Sequence, residues 1–345
     1  MYNTFQTIII PGIFAFVAAY MGIRFLMSYL YSAGVVAEDK NKAKAVKLPS
    51  SGGLGFAFGI IIGILVYTFG GSFIFTPVVD LSKLLAVALS ILIITMVGFI
   101  DDINVKMNPV KSTGMMDIRK GLKQWQKPVF TFLGALPLMA INVGISSANL
   151  PLIGMLELGI LYPLIILPLA VIFVSNSVNL LGGFDGLQPL MALAAAIGLL
   201  IYNVFFGTYT GTLLSALLSA ALLAFIPFNL YKAKVIPGDS FTYAVGATLV
   251  AIMVMGNSEA FGIIIFLPWI VEFLLHARRK FRVTDLGVRQ RDGTLKAPYG
   301  KKIYSLTHLV MNVKRATETD VSYYLTAIEI LFVLMAFGMK FSGLL

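Results

Sequence analysis

The chain has 345 residues, of which 58% are hydrophobic and 12% charged, with a formal net charge of +10 and a mean hydropathy of +0.90. That balance excludes a soluble globular domain and places the chain among integral membrane proteins. It contains no cysteine, so disulfides and thiolate metal sites are excluded, and His276 and His308 cannot by themselves build a zinc centre. Any metal is therefore expected to be a hard ion on oxygen ligands, magnesium first, with manganese able to substitute.

Apolar windows of about 17–25 residues predict ten membrane helices, near 5–30, 53–70, 82–100, 128–146, 158–176, 187–206, 210–230, 240–256, 259–276 and 321–343. The first lacks a basic leading region and a small-residue cleavage site, so it is expected to be a retained helix. The expected fold is an all-α polytopic membrane protein, a single domain over 1–345, with a small cytoplasmic subdomain at 277–320. Asp292-Gly293 in that segment is a hairpin turn signal. Of the 26 Lys and Arg, only Arg24, Lys83 and Lys340 fall outside the loops at 31–52, 101–127, 231–239 and 277–320. With ten alternating helices these loops share one side, which the positive-inside rule makes cytoplasmic, with both termini outside. The positive charge thus reads as topology, not as nucleic-acid binding. The outer connections, such as Gly207–Thr210 and Gly256–Ser258, are short and nearly uncharged.

The polar residues of the spans gather at the cytoplasmic ends. In Gly98-Phe-Ile-Asp-Asp-Ile103, two carboxylates close a helix whose dipole presents negative charge there, so Asp101 and Asp102 call for a counter-charge such as a bound cation. Solvation of the loop start is the alternative. Asn176 and Asn179 stand at i and i+3, on one helical face, and Gly182-Gly183-Phe-Asp185-Gly186 then breaks the helix. Irregular backbone at membrane depth is tolerated where it is buried or lines a cavity; amides that pack helices, followed by a glycine turn, are the plainer reading. Asp239, in Pro237-Gly-Asp-Ser240, suits a helix N-cap or a ligand position. Lys127, just before Pro128, suits an interfacial snorkelling lysine or a functional cation. The run Arg278-Arg279-Lys280 reads either as a topology determinant or as a cationic cluster for a diphosphate bridged by a metal.

Together these segments, from about 31 to 315, resemble the polyprenyl-phosphate N-acetylhexosamine-1-phosphate transferases, whose members move a sugar 1-phosphate from a UDP-sugar onto a polyprenyl or dolichyl phosphate. Three stretches resemble the archaeal and eukaryotic dolichyl-phosphate branch: Asp39-Lys-Asn41-Lys42 followed by Pro49, Phe228-Asn-Leu-Tyr231 leading into Pro237-Gly-Asp239, and Leu295–Leu306. An archaeal source fits that likeness. The bacterial members carry two aspartates after the Asn-x-x-Asn motif; here the first position is Gly182 and Asp185 keeps the second.

The resemblance implies that Asp239 and Asn179 hold Mg²⁺ and that Asp101 and Asp102 are the paired catalytic aspartates, their role open between phosphate activation and metal organisation. It implies that Lys127 contacts the diphosphate, with Lys111 as rival across an insertion at 111–124. Arg278, Arg279 and Lys280, together with Asn176, Asp39, Asn41, Lys42 and Asp185, are implied to bind substrate, and a homodimer is expected because family members are often dimers. The Arg-His-Arg pattern of the family is here Arg-Arg-Lys. A bacterial-type undecaprenyl-phosphate transferase is the nearest alternative. A secondary transporter, the rival of another class, would place its polar residues near the midplane with access from both sides.

Overall fold

The computed structural model describes residues 5–39, 41–42, 46–103, 107–109, 116–119, 121–142, 147–150 and 154–345. Lys111, the rival to Lys127, lies outside the described residues. A π-helical turn runs into α1 (Ile10–Ser32), and the hairpin of β1 (Val36–Asp39) and β2 (Val46–Pro49) follows. Next come α2 (Gly53–Phe73) and α3 (Leu81–Ile103), then a second hairpin of β3 (Met107–Pro109) and β4 (Met116–Arg119), and α4 (Gln126–Ala140). A third hairpin, β5 (Ser147–Leu150) with β6 (Gly154–Glu157), precedes α5 (Leu167–Leu180), α6 (Leu187–Phe205), α7 (Tyr209–Asn229) and α8 (Gly238–Gly256). The chain ends with α9 (Glu259–Ile265), α10 (Leu267–Ala277), β7 (Val288–Arg289), β8 (Leu295–Lys296), α11 (Leu306–Val313) and α12 (Glu318–Phe341).

The protein is an all-α polytopic membrane protein, and every expected span contains helix. Among the described residues eight helices are long and apolar enough to cross a bilayer, and α9 with α10, bent by 56° at their break, makes either a broken ninth span or a re-entrant loop. That break sits at Phe266, two residues before Pro268, whose ring denies an amide hydrogen and crowds the carbonyl four residues back. The expected fourth span, 128–146, is shorter in the structure: α4 has 15 residues, about 22 Å at 1.5 Å per residue. It ends three residues after Pro137, where Asn142 takes a left-handed turn. The hairpin expected around Asp292-Gly293 is β7 paired with β8, with Gly293 at φ +87°.

Helix α8 is the axis of the bundle. It packs against α2, α3, α5 and α7, and most of its residues are buried, whereas α1 and α12 turn large apolar side chains such as Phe25, Met21, Leu331 and Leu334 outward. Such close packing requires small residues where backbones meet. A Cβ on Gly246 would lie 2.4 Å from Ser175 Cα of α5, and one on Gly98 of α3 would lie 2.5 Å from the backbone of Asp239. Gly98 thus sets how near the end of α3 comes to the start of α8. Gly98→Val is expected to cost about 1–3 kcal/mol of stability through overpacking, read as a lower thermal midpoint in detergent.

Candidate active site

Five connections at one end of the bundle build the site. Helix α8 begins at Gly238, whose φ of +77° suits glycine, and its first amides carry the partial positive charge of a helix N-terminus. The cap comes from α3, not from Asp239 itself. Asp102 Oδ1 accepts from the Asp239 amide at 2.8 Å, and Oδ2 accepts from the Ser240 amide at 3.2 Å, Ser240 Oγ at 3.0 Å and Ser51 Oγ at 2.8 Å. Asp102, 5% exposed, is thereby saturated with donors.

Capping from α3 leaves the Asp239 side chain to face the neighbouring elements. Lys127 Nζ, at the start of α4, lies 2.8 Å from Asp239 Oδ2 and 2.6 Å from Asp101 Oδ2. Asp101 Oδ1 accepts from the Leu122 amide, and Asn179 Nδ2 of α5 donates to Asp239 Oδ2 at 3.1 Å. Lys127, Asp101, Asp239 and Asn179 therefore form one continuous polar chain. With Asp102 the group carries three carboxylates against one ammonium, an excess that the α8 N-terminus offsets only in part.

Beside this chain opens a cavity of about 250 Å³ lined by Asn179, Gly182–Asp185, Gln188, Asn229, Ile236–Asp239, Glu38, Asp39 and the 283–286 segment. Asp239 and Asn179 thus bring a carboxylate and an amide, both hard oxygen donors, to the cavity wall within reach of each other. Such a set fits Mg²⁺, which takes few protein ligands and keeps its remaining positions for water and phosphate oxygens.

A second knot holds the opposite wall. Lys42 Nζ lies 2.6 Å from both Asp185 Oδ2 and Glu318 Oε2, 3.1 Å from Asp39 Oδ2, and 4.7 Å from the centre of the Tyr231 ring. Asp185 Oδ2 also accepts from the Ala233 amide at 2.9 Å, Asn41 Nδ2 donates to Gly183 O at 2.6 Å, and Arg289 Nη1 donates to Asn41 O at 3.0 Å. Burial disfavours the Lys42 ammonium, yet its hydrogen bonds to Asp185 and Glu318 hold its pKa above the usual lysine value. Burial, with the Asp185 charge beside it, pushes the Asp39 carboxyl up.

Asp39 and Asp185 line the cavity, whereas Lys42 and Asn41 point into the protein and fasten its wall. Asn176 donates to Thr131 Oγ1 at 3.1 Å and to Ile172 O at 2.8 Å, tying α5 to α4 away from the cavity lining. Arg278 and Arg279 are exposed and lie 5.8 and 5.2 Å from the Tyr304 ring centre, and Lys280 is exposed at φ +51°; none of the three lines the cavity. Sequence reasoning missed Glu318, Ser51, Ser240 and the 283–286 wall. Ser51 had a signal in Ser50-Ser-Gly-Gly53, a helix-start cluster after Pro49; Glu318 had none beyond opening the last span.

The sequence pattern of glycosyl transferase family 4 matches residues 84–257, which carry both aspartates of α3, Lys127, Asn179 and Asp239. The chain belongs to glycosyl transferase family 4. A relative from Saccharolobus solfataricus, provisionally named UDP-N-acetylglucosamine–dolichyl-phosphate N-acetylglucosaminephosphotransferase, is 30% identical over 334 residues, 95% of each chain. A protein of the same provisional name from Sulfolobus acidocaldarius is 27% identical over 331 residues, again 95% of each. The phospho-N-acetylmuramoyl-pentapeptide-transferase of Streptococcus mutans is 30% identical over 279 residues, 77% of each. In this family 4 chain the matched region coincides with the α3–α8 core that positions the site.

Removing the cap by Asp102→Ala would strand two amides and two hydroxyls. The expected loss is about 3 kcal/mol, measured by thermal unfolding in detergent. Lys42→Met would leave Asp39, Asp185 and Glu318 facing one another without their cation. It is expected to destabilise by roughly 3–5 kcal/mol, with the same measurement deciding.

Proposed function

We infer that the chain transfers a sugar 1-phosphate, GlcNAc-1-phosphate in particular, from a UDP-sugar to a dolichyl or related polyprenyl phosphate, releasing UMP. The product would be the first lipid-linked intermediate for protein N-glycosylation. The observation that carries this reading is the Asp101–Lys127–Asp239–Asn179 chain at the wall of a polar cavity, in a membrane protein whose dolichyl-type relatives align over 95% of its length. With the short α4 and the α9–α10 pair each counted as a span, ten spans result, and the distribution of Lys and Arg then supports a cytoplasmic active site with both termini outside.

In this reaction an oxygen of the lipid phosphate attacks the β-phosphorus of the nucleotide sugar, and the bond to the UMP oxygen breaks. The nucleophile is already anionic near neutral pH, so positioning and charge neutralisation supply most of the rate. Asp239 and Asn179 would hold Mg²⁺, which would supply charge neutralisation for the diphosphate and the departing UMP. Lys127, reaching across from α4, neutralises charge on the transferring phosphoryl group. Asp101 holds Lys127 in place through its 2.6 Å ion pair, and Asp102 acts by fixing the α8 terminus, so the geometry favours organisation over proton removal for this pair. Arg278, Arg279 and Lys280 do not line the cavity; they would contact the anionic substrate only where it extends beyond the wall at 283–286.

The test is transfer of label from radiolabelled UDP-GlcNAc to dolichyl phosphate by the purified protein with Mg²⁺ or EDTA. Label should enter the lipid only with metal, and Asp239→Asn should cut turnover by about two orders of magnitude or more while keeping the thermal midpoint. Near-normal turnover in that variant would remove the metal assignment, and no transfer by folded wild type would remove the reading as a whole.

A further inference from the structure

A second constellation stands behind the cavity wall, where α10 meets the cytoplasmic segment. Glu272 and His276 are i and i+4 on α10 and so share a face. Glu272 is fully buried and His276 is 4% exposed. Asp285 joins them from the segment that lines the cavity. His276 Nε2 lies 2.9 Å from Glu272 Oε1 and 2.8 Å from Asp285 Oδ1, and the three ligand atoms all lie within 4.8 Å of one another.

His276 stands at ion-pair distance from both carboxylates. Despite those short distances, neither His276 Nε2 nor Glu272 Oε1 has a hydrogen bond of acceptable geometry, although both atoms are buried. Ligands about 2.1 Å from a common tetrahedral ion stand about 3.4 Å from each other, so these atoms need to part by only about 0.5 Å to seat one.

Charge balance agrees. A neutral imidazole and two carboxylates cancel a divalent cation, whereas an imidazolium would leave one buried negative charge. The outer contacts are already made: Glu272 Oε2 accepts from the Leu306 amide at 2.7 Å, and Thr307 Oγ1 donates to the backbone carbonyl of Asp285 at 2.8 Å. Such supporting bonds orient ligands around a metal.

We propose that Glu272, His276 and Asp285 hold a divalent transition-metal ion, of the zinc or manganese class, that staples the 283–286 wall of the cavity to α10. The imidazole selects against Mg²⁺, and the absence of thiolates selects against softer ions. The ion has a structural role, apart from the Asp239 corner.

The test uses full-length protein purified through a tag without histidine, stripped with chelator and titrated with Zn²⁺ and Co²⁺ in excess Mg²⁺. Bound metal is read by mass spectrometry and Co²⁺ by its visible ligand-field bands. The expected result is one transition-metal ion per chain, retained by Asp239→Asn and lost in both His276→Gln and Asp285→Asn. Asp285 sits on a partly exposed segment, so its conservative variant should stay folded and report on the site even if the His276 variant does not. Wild type that retains no transition metal, or retention undiminished by Asp285→Asn, would overturn the proposal. Because the readout is metal content, it is independent of whether sugar-phosphate transfer is observed.

Discussion

The interaction on which the site depends is the capture of the α8 N-terminus by Asp102. A buried helix start exposes amides that water cannot reach, and a buried carboxylate at a helix C-terminus is repelled by its own dipole. Each of these problems removes the other. The last turn of α3 brings the anion, the first turn of α8 brings the donors, and Ser51 from the start of α2 completes the shell. Three helices are locked at the membrane edge, and Asp239 is left with its carboxylate turned toward Lys127 and Asn179. Gly98 and Gly238 follow from this constraint, since a side chain at either position would strike the Asp239 backbone or the Asp102 carboxylate.

The two charged knots divide the labour around the cavity. The Lys127 knot is partly open, with Lys127 27% and Asp239 13% exposed. The Lys42 knot is tighter: Lys42 is 11% and Glu318 2% exposed, and its carboxylates accept backbone amides as well. It joins the loop after α1, the glycine-rich break after α5 and the start of α12, so the backbone at Gly182–Asp185 is held from behind. Irregular backbone of this kind at a membrane edge needs such satisfaction by protein.

Much of this was legible in the sequence. Spans of about 20 apolar residues are forced by bilayer thickness, and the alternation of spans put Asp39, Asp101, Asn179 and Asp239 at span ends that do meet at one end of the bundle. Pairing was not legible. Asp101 and Asp102 are adjacent and chemically identical, yet one grips Lys127 and the other caps α8, because successive residues on a helix point about 100° apart. Asn176 and Asn179 share a face by spacing, but Thr131 and the Ile172 carbonyl claim the first. His276 looked isolated because its partners were a glutamate one turn back and an aspartate across a loop, and carboxylates are too common for spacing alone to single them out. The kink before α10 falls just before Pro268, inside a window, 259–276, that hydropathy reads as one span, and the early end of α4 goes with a left-handed turn at Asn142 that composition does not announce.

The central claim is that the corner built by Asp102 and occupied by Asp239 and Asn179 binds the cation that bridges the nucleotide-sugar diphosphate. Electron–nuclear double resonance of Mn²⁺-loaded protein with UDP-GlcNAc tests it directly, because phosphorus coupling to the manganese spin reports an ion bound to the diphosphate on the protein. The account predicts a ³¹P coupling in wild type that disappears from the protein-bound signal in Asp239→Asn. No ³¹P coupling in any protein-bound signal of the wild type, or a coupling that survives intact in Asp239→Asn, would contradict it.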